Sequence, residues 1–368
     1  MKIVHTSDIK LGASFAGFGL AGDKLRAGLK TTFSKIVDFT LNEKADMLLI
    51  AGNIFDSHEI SKNLQDFVAK ELRRLDPKPV IVLPGPKDHF GDSAFWHTWE
   101  GIRKPTNIHF LADKKRPFII IPELGCAVYG LAPTAEDDNH LSLKRLGPLQ
   151  DAKYHLAVAC APLVPFDGEQ SDGLLGDLLG KYDYVALGGQ PAFLDLSCPG
   201  YRAAFSGAPE ALGFAENNSG NIVVIQINEP KNVLIAKAPI GHFQWKSIEL
   251  QAKEIANNDE LLRKIKQHAG RNILLNVKLT GLALFEAGLD PGFVQTRLSD
   301  DFLHLNIDDE MIVFPENIAE VKVSEKTVVG QYLRLMAQKL KAADDKQKQH
   351  LEQSIKIGYS LLSGRELW

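Results

Sequence analysis

Apolar residues in the first third of the chain alternate between short continuous runs and helically spaced positions. Lys2–His5, Met47–Ala51 and Val80–Leu83 are short apolar runs of the kind that form buried strands. Between the first two runs, Lys24–Asn42 carries apolar residues at near-helical spacing, and Leu64–Leu72 repeats the pattern before the third run. Strands that alternate with helices predict a sheet that is at least partly parallel and covered by helices.

The pattern changes further along the chain. From about residue 107 to residue 238, short strand-like runs follow one another in series, which predicts a second sheet packed face to face with the first. From residue 241 the order is strand, helix, strand, helix, strand, which predicts a small α+β unit. We therefore predict an α/β fold, a two-sheet sandwich flanked by helices, with domains at 1–240, 241–323 and 324–368.

The last segment, 324–368, predicts two amphipathic helices in an antiparallel hairpin, with Asp344 and Asp345 as the cap between them. Two interpretations stay open: the helices fold back on the chain, or they present an apolar face to another protein. The candidate partner-binding residues are Val329, Leu333, Met336, Leu340, Leu351, Ile355 and Leu362.

Composition is that of an ordinary globular protein, with 45% hydrophobic and 24% charged residues. No run approaches the ~20 apolar residues of a membrane span, and the N-terminus enters a strand without an apolar leader, so we expect no membrane association. Three cysteines without a CxxC pair favour reduced thiols and a cytoplasmic location. A net charge of −4 means that any contact with DNA must come from a local patch or from a partner.

Candidate chemistry lies in the loops that follow the strands. These loops read HTSDIKLG, AGNIFDSH, PGPKDH, AVACAP and ALGGQP in chain order. Because sites in open α/β sheets form at the carboxyl ends of the strands, we expect these loops to converge.

The order and wording of these loops resemble the calcineurin-like metallophosphoesterases, in particular the bacterial SbcD and YhaO types. That family runs Asp-x-His, Gly-Asp-x-x-Asp, Gly-Asn-His-Asp, a single His and Gly-His-x-His. KIVHTSDIKLG, ADMLLIAGNIFDS, DYVALG and PGYRAAFSGAP are also close to the family wording. The resemblance covers most of the chain and implies a phosphoesterase sandwich, a small capping domain and a helical tail. It also implies two divalent ions, usually manganese, whose bridging hydroxide attacks a phosphodiester.

The metal ligands of the family are mostly replaced in this sequence. The pocket positions are Asp8, Lys10, Asn53, Asp56, Pro86, Lys87, Asp88, Cys160, Gly189 and Pro191. Asp8 matches the first Asp of the family, but Lys10 stands in place of its His and Asn53 in place of the bridging Asp. Pro86 replaces the amide ligand, and Lys87 replaces the His that assists the transition state. Cys160 stands at the single-His position, and Gly189 and Pro191 stand at the last two imidazoles. Asp56 and Asp88 are retained, as residues that support the site.

This exchange predicts a metal-free pocket. A two-metal centre needs roughly four ligands per ion, and two added lysines would repel the ions. We expect Asp8, Asp56 and Asp88 to pair with Lys10 and Lys87 instead, so no cofactor is expected. The sequence thus resembles a degenerate, catalytically inactive nuclease subunit that serves as a scaffold.

Two alternatives remain open. One is an active metal-dependent DNA exonuclease or phosphoesterase, with manganese as the metal and with relocated ligands at Asp8, Asp56, His58, Asp88 and His89. The other is a regulatory protein that binds a nucleotide or phosphate at Lys10 and Lys87. The resemblance further implies a partner, an SMC-like coiled-coil ATPase of the SbcC or YhaN type, contact with DNA ends through that complex, and a possible homodimer.

Overall fold

The computed structural model describes residues 1–89, 96, 106–113, 115–130, 132, 148, 152–160, 179–284, 287–314 and 327–362. Within these residues the chain forms two compact units, Met1–Gln244 and Trp245–Trp368. The three-part division at residues 240 and 323 stays a prediction.

The first unit is built from twelve strands and two long helices among its described residues. The strands are β1 (Lys2–Thr6), β2 (Met47–Ala51), β3 (Val80–Leu83), β4 (Ile108–Phe110), β5 (Phe118–Ile121), β6 (Cys126–Tyr129), β7 (Tyr154–Cys160), β8 (Tyr184–Gly188), β9 (Leu194–Asp195), β10 (Ala203–Phe205), β11 (Asn221–Glu229) and β12 (Asn232–Pro239). The helices are α1 (Leu20–Asn42) and α2 (Lys62–Arg73). The predicted runs at β2 and β3 are confirmed residue for residue.

Two six-stranded sheets result, as far as the described residues show. The first has the order β12-β11-β1-β2-β3-β4, and the second β5-β6-β7-β8-β10-β9. Strands β1 to β4 run parallel, as do β6, β7, β8 and β10. The predicted parallel sheet is therefore confirmed, but β11 and β12 return from the second half of the chain to extend it antiparallel beside β1.

The core of this unit lies between the two sheets. One cluster of buried residues joins Ile3 and Leu49 of the first sheet to Val128, Leu156 and Ala186 of the second. All five residues of β2 are buried, which is typical of a central strand covered on both faces. The predicted face-to-face sandwich is therefore confirmed.

A buried carboxylate fastens the end of the first unit to helix α1. Glu210, 2% exposed, accepts hydrogen bonds from Thr32 Oγ1 at 2.5 Å and from the amides of His242 and Phe243. The Phe243 ring lies directly on Gly28, where an added Cβ would be 2.0 Å from the ring. Burial raises the pKa of Glu210, and these donors partly offset that rise. We call this arrangement the Glu210 clamp.

The second unit is a three-stranded sheet with helices. Its elements are β13 (Gln244–Gln251), α3 (Asn258–Lys266), β14 (Gly270–Leu284), α4 (Pro291–Leu298), β15 (Phe302–Phe314), α5 (Val328–Ala342) and α6 (Asp345–Leu362). The sheet order is β13-β14-β15, with β14 and β15 parallel. The predicted order of strands and helices from residue 241 is confirmed.

Helices α5 and α6 pack against each other as a hairpin, and Asp344 caps α6 by accepting from the Gln347 amide at 2.8 Å. Leu333, Met336 and Ile355 form the buried core of the hairpin. The following predicted partner-binding residues pack against that core: Val329, Leu340 and Leu351. Leu362, in contrast, is 41% exposed.

Most of the predicted partner-binding residues therefore pack the two helices against each other. Among the described residues of the hairpin, the exposed apolar residues are Val328, Leu335, Ile357, Leu361 and Leu362, of which Leu362 alone belongs to the predicted set. Partner binding stays a prediction, and these exposed residues are the ones in a position to carry it.

Candidate functional site: a pocket without metal ligands

Three residues of the strand-end loops adopt left-handed backbone conformations. Asp8, Lys10 and Asn53 have φ angles of 53°, 52° and 56°. A positive φ is uncommon for residues other than glycine, and clusters of such residues mark sites where the surrounding structure enforces the backbone. The conformation turns the loops after β1 and β2 toward each other, and the Asp8 and Lys10 amides donate to the Gly52 and Asn53 carbonyls at 3.0 Å.

The Asp8 carboxylate is the centre of the pocket and is only 3% exposed. Its Oδ1 accepts from Asn53 Nδ2 at 2.8 Å. Its Oδ2 accepts from Ser7 Oγ at 2.8 Å and from the Gly189 amide at 2.7 Å. Burial raises the pKa of Asp8, and the hydrogen bonds from Asn53, Gly189 and Ser7 counteract that rise.

Gly189 contributes a backbone amide where the family supplies an imidazole. Its φ of 97° lies in the region that favours glycine, and this conformation directs the N–H at Asp8. The neighbouring Gly188 is packed so closely that an added Cβ would lie 1.8 Å from the Ala51 carbonyl oxygen. The carboxyl ends of β2 and β8 are thus in direct backbone contact.

Asn53 connects the pocket to the loop after β3. While its amide nitrogen donates to Asp8, its Oδ1 accepts from the Lys87 backbone amide at 3.0 Å. Nδ2 also lies 3.6 Å from Cys160 Sγ. A Cβ on Gly85 would lie 2.3 Å from Asn53 Oδ1, so the loops meet without spare space. The expected convergence is confirmed for the loops after β1, β2, β3 and β8, whereas the residues that follow Cys160 lie outside the described part of the chain.

Asp88 is a second buried carboxylate, and it accepts hydrogen bonds from the backbone of two loops. Its Oδ1 accepts from the Gly85 amide at 2.7 Å and its Oδ2 from the Phe55 amide at 3.1 Å. Full burial raises its pKa to about 7, and the amide donors act in the opposite direction. Its backbone carbonyl accepts from Trp96 Nε1 at 2.6 Å. Asp88 therefore holds the loops after β2 and β3 together and supports the pocket, as predicted.

Cys160 is a buried protonated thiol. Burial raises its pKa well above the ordinary value, and the nearby Asp8 and Asp88 carboxylates add to the effect. A thiol attacks as the thiolate, so Cys160 is not activated as a nucleophile. It fills space beside Gly52, where an added Cβ would lie 2.3 Å from its Sγ.

Among the described residues, no close ion pair joins Lys10 or Lys87 to Asp8 or Asp88, although the charge of Lys10 acts to lower the pKa of Asp8. Both carboxylates are satisfied by uncharged donors instead, mostly backbone amides. Lys10 Nζ lies 3.9 Å from Glu216 Oε1, and the side chain of Lys87 is exposed, as is that of Pro86. Within the described residues, no ion pair joins Asp56 to either lysine. Pro191 is half-buried near the loop after β8.

The structure does not bring the five residues of the alternative metal site together as one set of ligands. Asp8 and Asp88 point their oxygens at protein donors, as described above. His58 and His89 lie together, with ring centroids 5.5 Å apart, and Asp56 is half-buried. Among the described residues, no group of three His, Cys, Asp or Glu side chains is placed to hold a metal ion.

Comparison with known proteins identifies the fold family. Residues 1–155 match the model of the calcineurin-like phosphoesterases. The chain contains a calcineurin-like phosphoesterase domain. One relative is the uncharacterized metallophosphoesterase YhaO of Bacillus subtilis (strain 168), which is 25% identical over 177 residues. That alignment spans 46% of this chain and 42% of YhaO, less than half of either protein. The recognised family is confirmed, and the YhaO type is consistent with this relative.

Solved structures that align with part of the chain include TT1561 of Thermus thermophilus and a dimetal phosphatase from Danio rerio. The first is 13% identical, with a TM-score of 0.40 over 65% of this chain and 98% of its own. The second is 10% identical, with a TM-score of 0.40 over 66% of this chain and 99% of its own.

Phosphoesterases of this family bind two metal ions, and the residues present here do not fit them. Of the ten pocket positions, Asp8 retains a metal-ligating side chain at a first-ligand position, and its oxygens already accept from Ser7, Asn53 and Gly189. An amide nitrogen, a buried thiol and a glycine cannot balance the charge of a divalent pair. Among the described helices, none has the length and apolar character required to cross a bilayer.

Proposed function

We propose that this chain is a phosphoesterase-type subunit that has exchanged catalysis for assembly. The two sheets and the strand-end loops of the family are kept, but protein hydrogen bonds replace the metal centre. In this proposal the chain works as a scaffold in a complex that processes or repairs DNA ends.

One observation carries the proposal: the Asp8 carboxylate accepts from three protein donors in a buried pocket. Binding a divalent ion there would require breaking hydrogen bonds to a buried charged group, each worth about 1.5–3 kcal/mol. The remaining ligand positions offer no carboxylate or imidazole to compensate for that loss.

The proposed partner is an SMC-like coiled-coil ATPase of the SbcC or YhaN type. The support for it is the resemblance of the sequence to the SbcD and YhaO types, which implies such a partner, and the α5–α6 hairpin, which leaves Val328, Leu335 and Ile357 with 70%, 54% and 49% of their surface accessible. A hairpin whose own core is filled can display these residues to a partner without unfolding. The acidic balance of the chain fits an arrangement in which the ATPase supplies the grip on DNA.

Metal binding and cleavage test the loss of catalysis. Untagged full-length chain is titrated with Mn²⁺ by calorimetry and incubated with a blunt DNA duplex and with bis-(p-nitrophenyl) phosphate, with and without Mn²⁺. We expect neither Mn²⁺ binding at micromolar affinity nor Mn²⁺-dependent cleavage. One or two equivalents of tightly bound Mn²⁺, with cleavage abolished by chelator and by Asp8→Asn, would establish the active-enzyme alternative instead.

Capture of the ATPase tests assembly separately. The full-length chain is immobilised and challenged with the coiled-coil segment of an SMC-like ATPase from the same genome. We expect binding that Leu335→Glu weakens at least tenfold, because a charge is then buried at the interface. As a control, Lys339→Glu changes the charge of the same helix without removing an apolar side chain. Equal binding of all three proteins, or no binding, would contradict the proposed role of the hairpin.

A further inference from the structure

Two histidines stand beside the pocket and take no part in the hydrogen bonds described above. His58 lies in the loop after β2 and His89 in the loop after β3. Their ring centroids are 5.5 Å apart, and the ring planes are inclined by 49°. His58 is exposed and His89 is half-buried, so solvent reaches the pair.

The spacing of the rings is compatible with two imidazoles that share one ion. A ligating nitrogen lies about 2.0–2.1 Å from Zn²⁺, and the ring centroid is about 1.1 Å beyond it. At a tetrahedral angle, two such rings have centroids about 5 Å apart. The observed centroid distance of 5.5 Å is close to this value.

We propose that His58 and His89 form a binding site for one late first-row divalent ion such as Zn²⁺ or Cu²⁺. Imidazole ligands suit Zn²⁺, Cu²⁺ and Ni²⁺, whereas Mn²⁺ prefers oxygen ligands. This site is therefore chemically different from the centre that the family uses, and it shares no residue with the Asp8 hydrogen-bond network.

The site is open on the side away from the protein. Within the described residues no third His, Cys, Asp or Glu completes the pair, so water or an anion takes the remaining positions. Asp56 and Lys87 each precede one of the two histidines by two residues, and their opposite charges offset each other. Two imidazoles without further ligands give a moderate affinity and an exchangeable ion.

Zinc titration of the full-length, untagged chain tests the site. We expect one equivalent of Zn²⁺ to bind the wild type. His58→Gln and His89→Gln should each weaken binding about tenfold or more, because the ion is then held by a single imidazole. His268→Gln, in the second unit, is the matched control and keeps wild-type affinity. Circular dichroism checks that all three variants fold.

Copper provides a direct count of the ligands. The electron paramagnetic resonance spectrum of the Cu²⁺-loaded wild type should show hyperfine coupling to two nitrogens, and that of each single variant to one. Equal Zn²⁺ affinity in wild type and both variants, or coupling to a single nitrogen in the wild type, would overturn the proposal.

Discussion

Substitution of Asn53 by Asp restores the carboxylate that the family uses at this position and sharply tests the metal-free pocket. Asn53 Nδ2 donates to Asp8 Oδ1 at 2.8 Å, and Asn53 Oδ1 accepts from the Lys87 amide at 3.0 Å. An aspartate keeps the second hydrogen bond, but it places an oxygen where the first donor was. Two buried carboxylates at this separation cannot both be ionised, so the variant must take up a proton.

The loss of stability in Asn53→Asp can be calculated from the free energy of taking up that proton. In the unfolded chain the new aspartate has a pKa of about 3.9, so holding it protonated at pH 7 costs about 4 kcal/mol. The protonated pair recovers the hydrogen bond, and thus the loss approaches zero near pH 4. Because the folded-state pKa of the pair is raised above the unfolded value, the variant loses stability relative to wild type as pH rises from about 4 to 7.

Thermal unfolding at pH 4.5 and pH 7 measures the effect. At pH 7 a loss of about 4 kcal/mol corresponds to a midpoint lower by roughly 10 °C, and the difference from wild type should largely disappear at pH 4.5. Millimolar Mn²⁺ should not restore the midpoint at pH 7, since the pocket supplies too few further ligands. Asn232→Asp, at an exposed strand end, is the matched control. A variant as stable as wild type at pH 7, or one rescued by Mn²⁺, would refute the reasoning.

Three further predictions concern other parts of the chain. The folded-state pKa of Asp88, about 7, lies above its unfolded value. The free energy of unfolding of the wild type should therefore fall by on the order of 4 kcal/mol as pH rises from about 4 to 7. Urea titrations of Asp88→Asn should show a flatter dependence on pH. Gly28→Ala should displace the Phe243 ring, cost about 1–3 kcal/mol and speed limited proteolysis near that ring; unchanged cleavage would contradict the close packing. Ile355→Ala, fully buried, should cost about 2–5 kcal/mol, whereas Leu335→Ala, 54% exposed, should leave the unfolding midpoint within the error of the measurement.

The sequence carried enough information for the strands and for the meeting point of their loops. Continuous apolar runs such as Met47–Ala51 can be buried on both faces only in a central strand, so their bounds were predictable. The end of α1 at Asn42 was predicted, but its start at Leu20 lies four residues before the predicted Lys24. Leu20 is 90% exposed and does not belong to the buried face of α1, so the spacing of apolar residues does not indicate where the helix starts.

The pairing inside the pocket was not predictable from residue types. Opposite charges suggested that Lys10 and Lys87 would neutralise the aspartates, yet Asp8 is satisfied by Ser7, Asn53 and a backbone amide. That outcome depends on left-handed backbone conformations and on an amide supplied by a glycine, neither of which appears in a pattern of side chains. The hairpin shows the same limit, because periodicity defines an apolar stripe without saying whether the neighbouring helix covers it.

The Glu210 clamp determines where the chain can be divided. Two of the three donors to this buried carboxylate are the main-chain amides of residues 242 and 243, which follow the last strand of the sandwich. A fragment ending at residue 240 would leave Glu210 with Thr32 alone and uncover the surface beneath the Phe243 ring, whereas one ending at residue 244 retains every contact. The first residues after β12 are thus part of the folding unit that precedes them. A truncation, a fusion or a split of this chain should therefore be placed after residue 243.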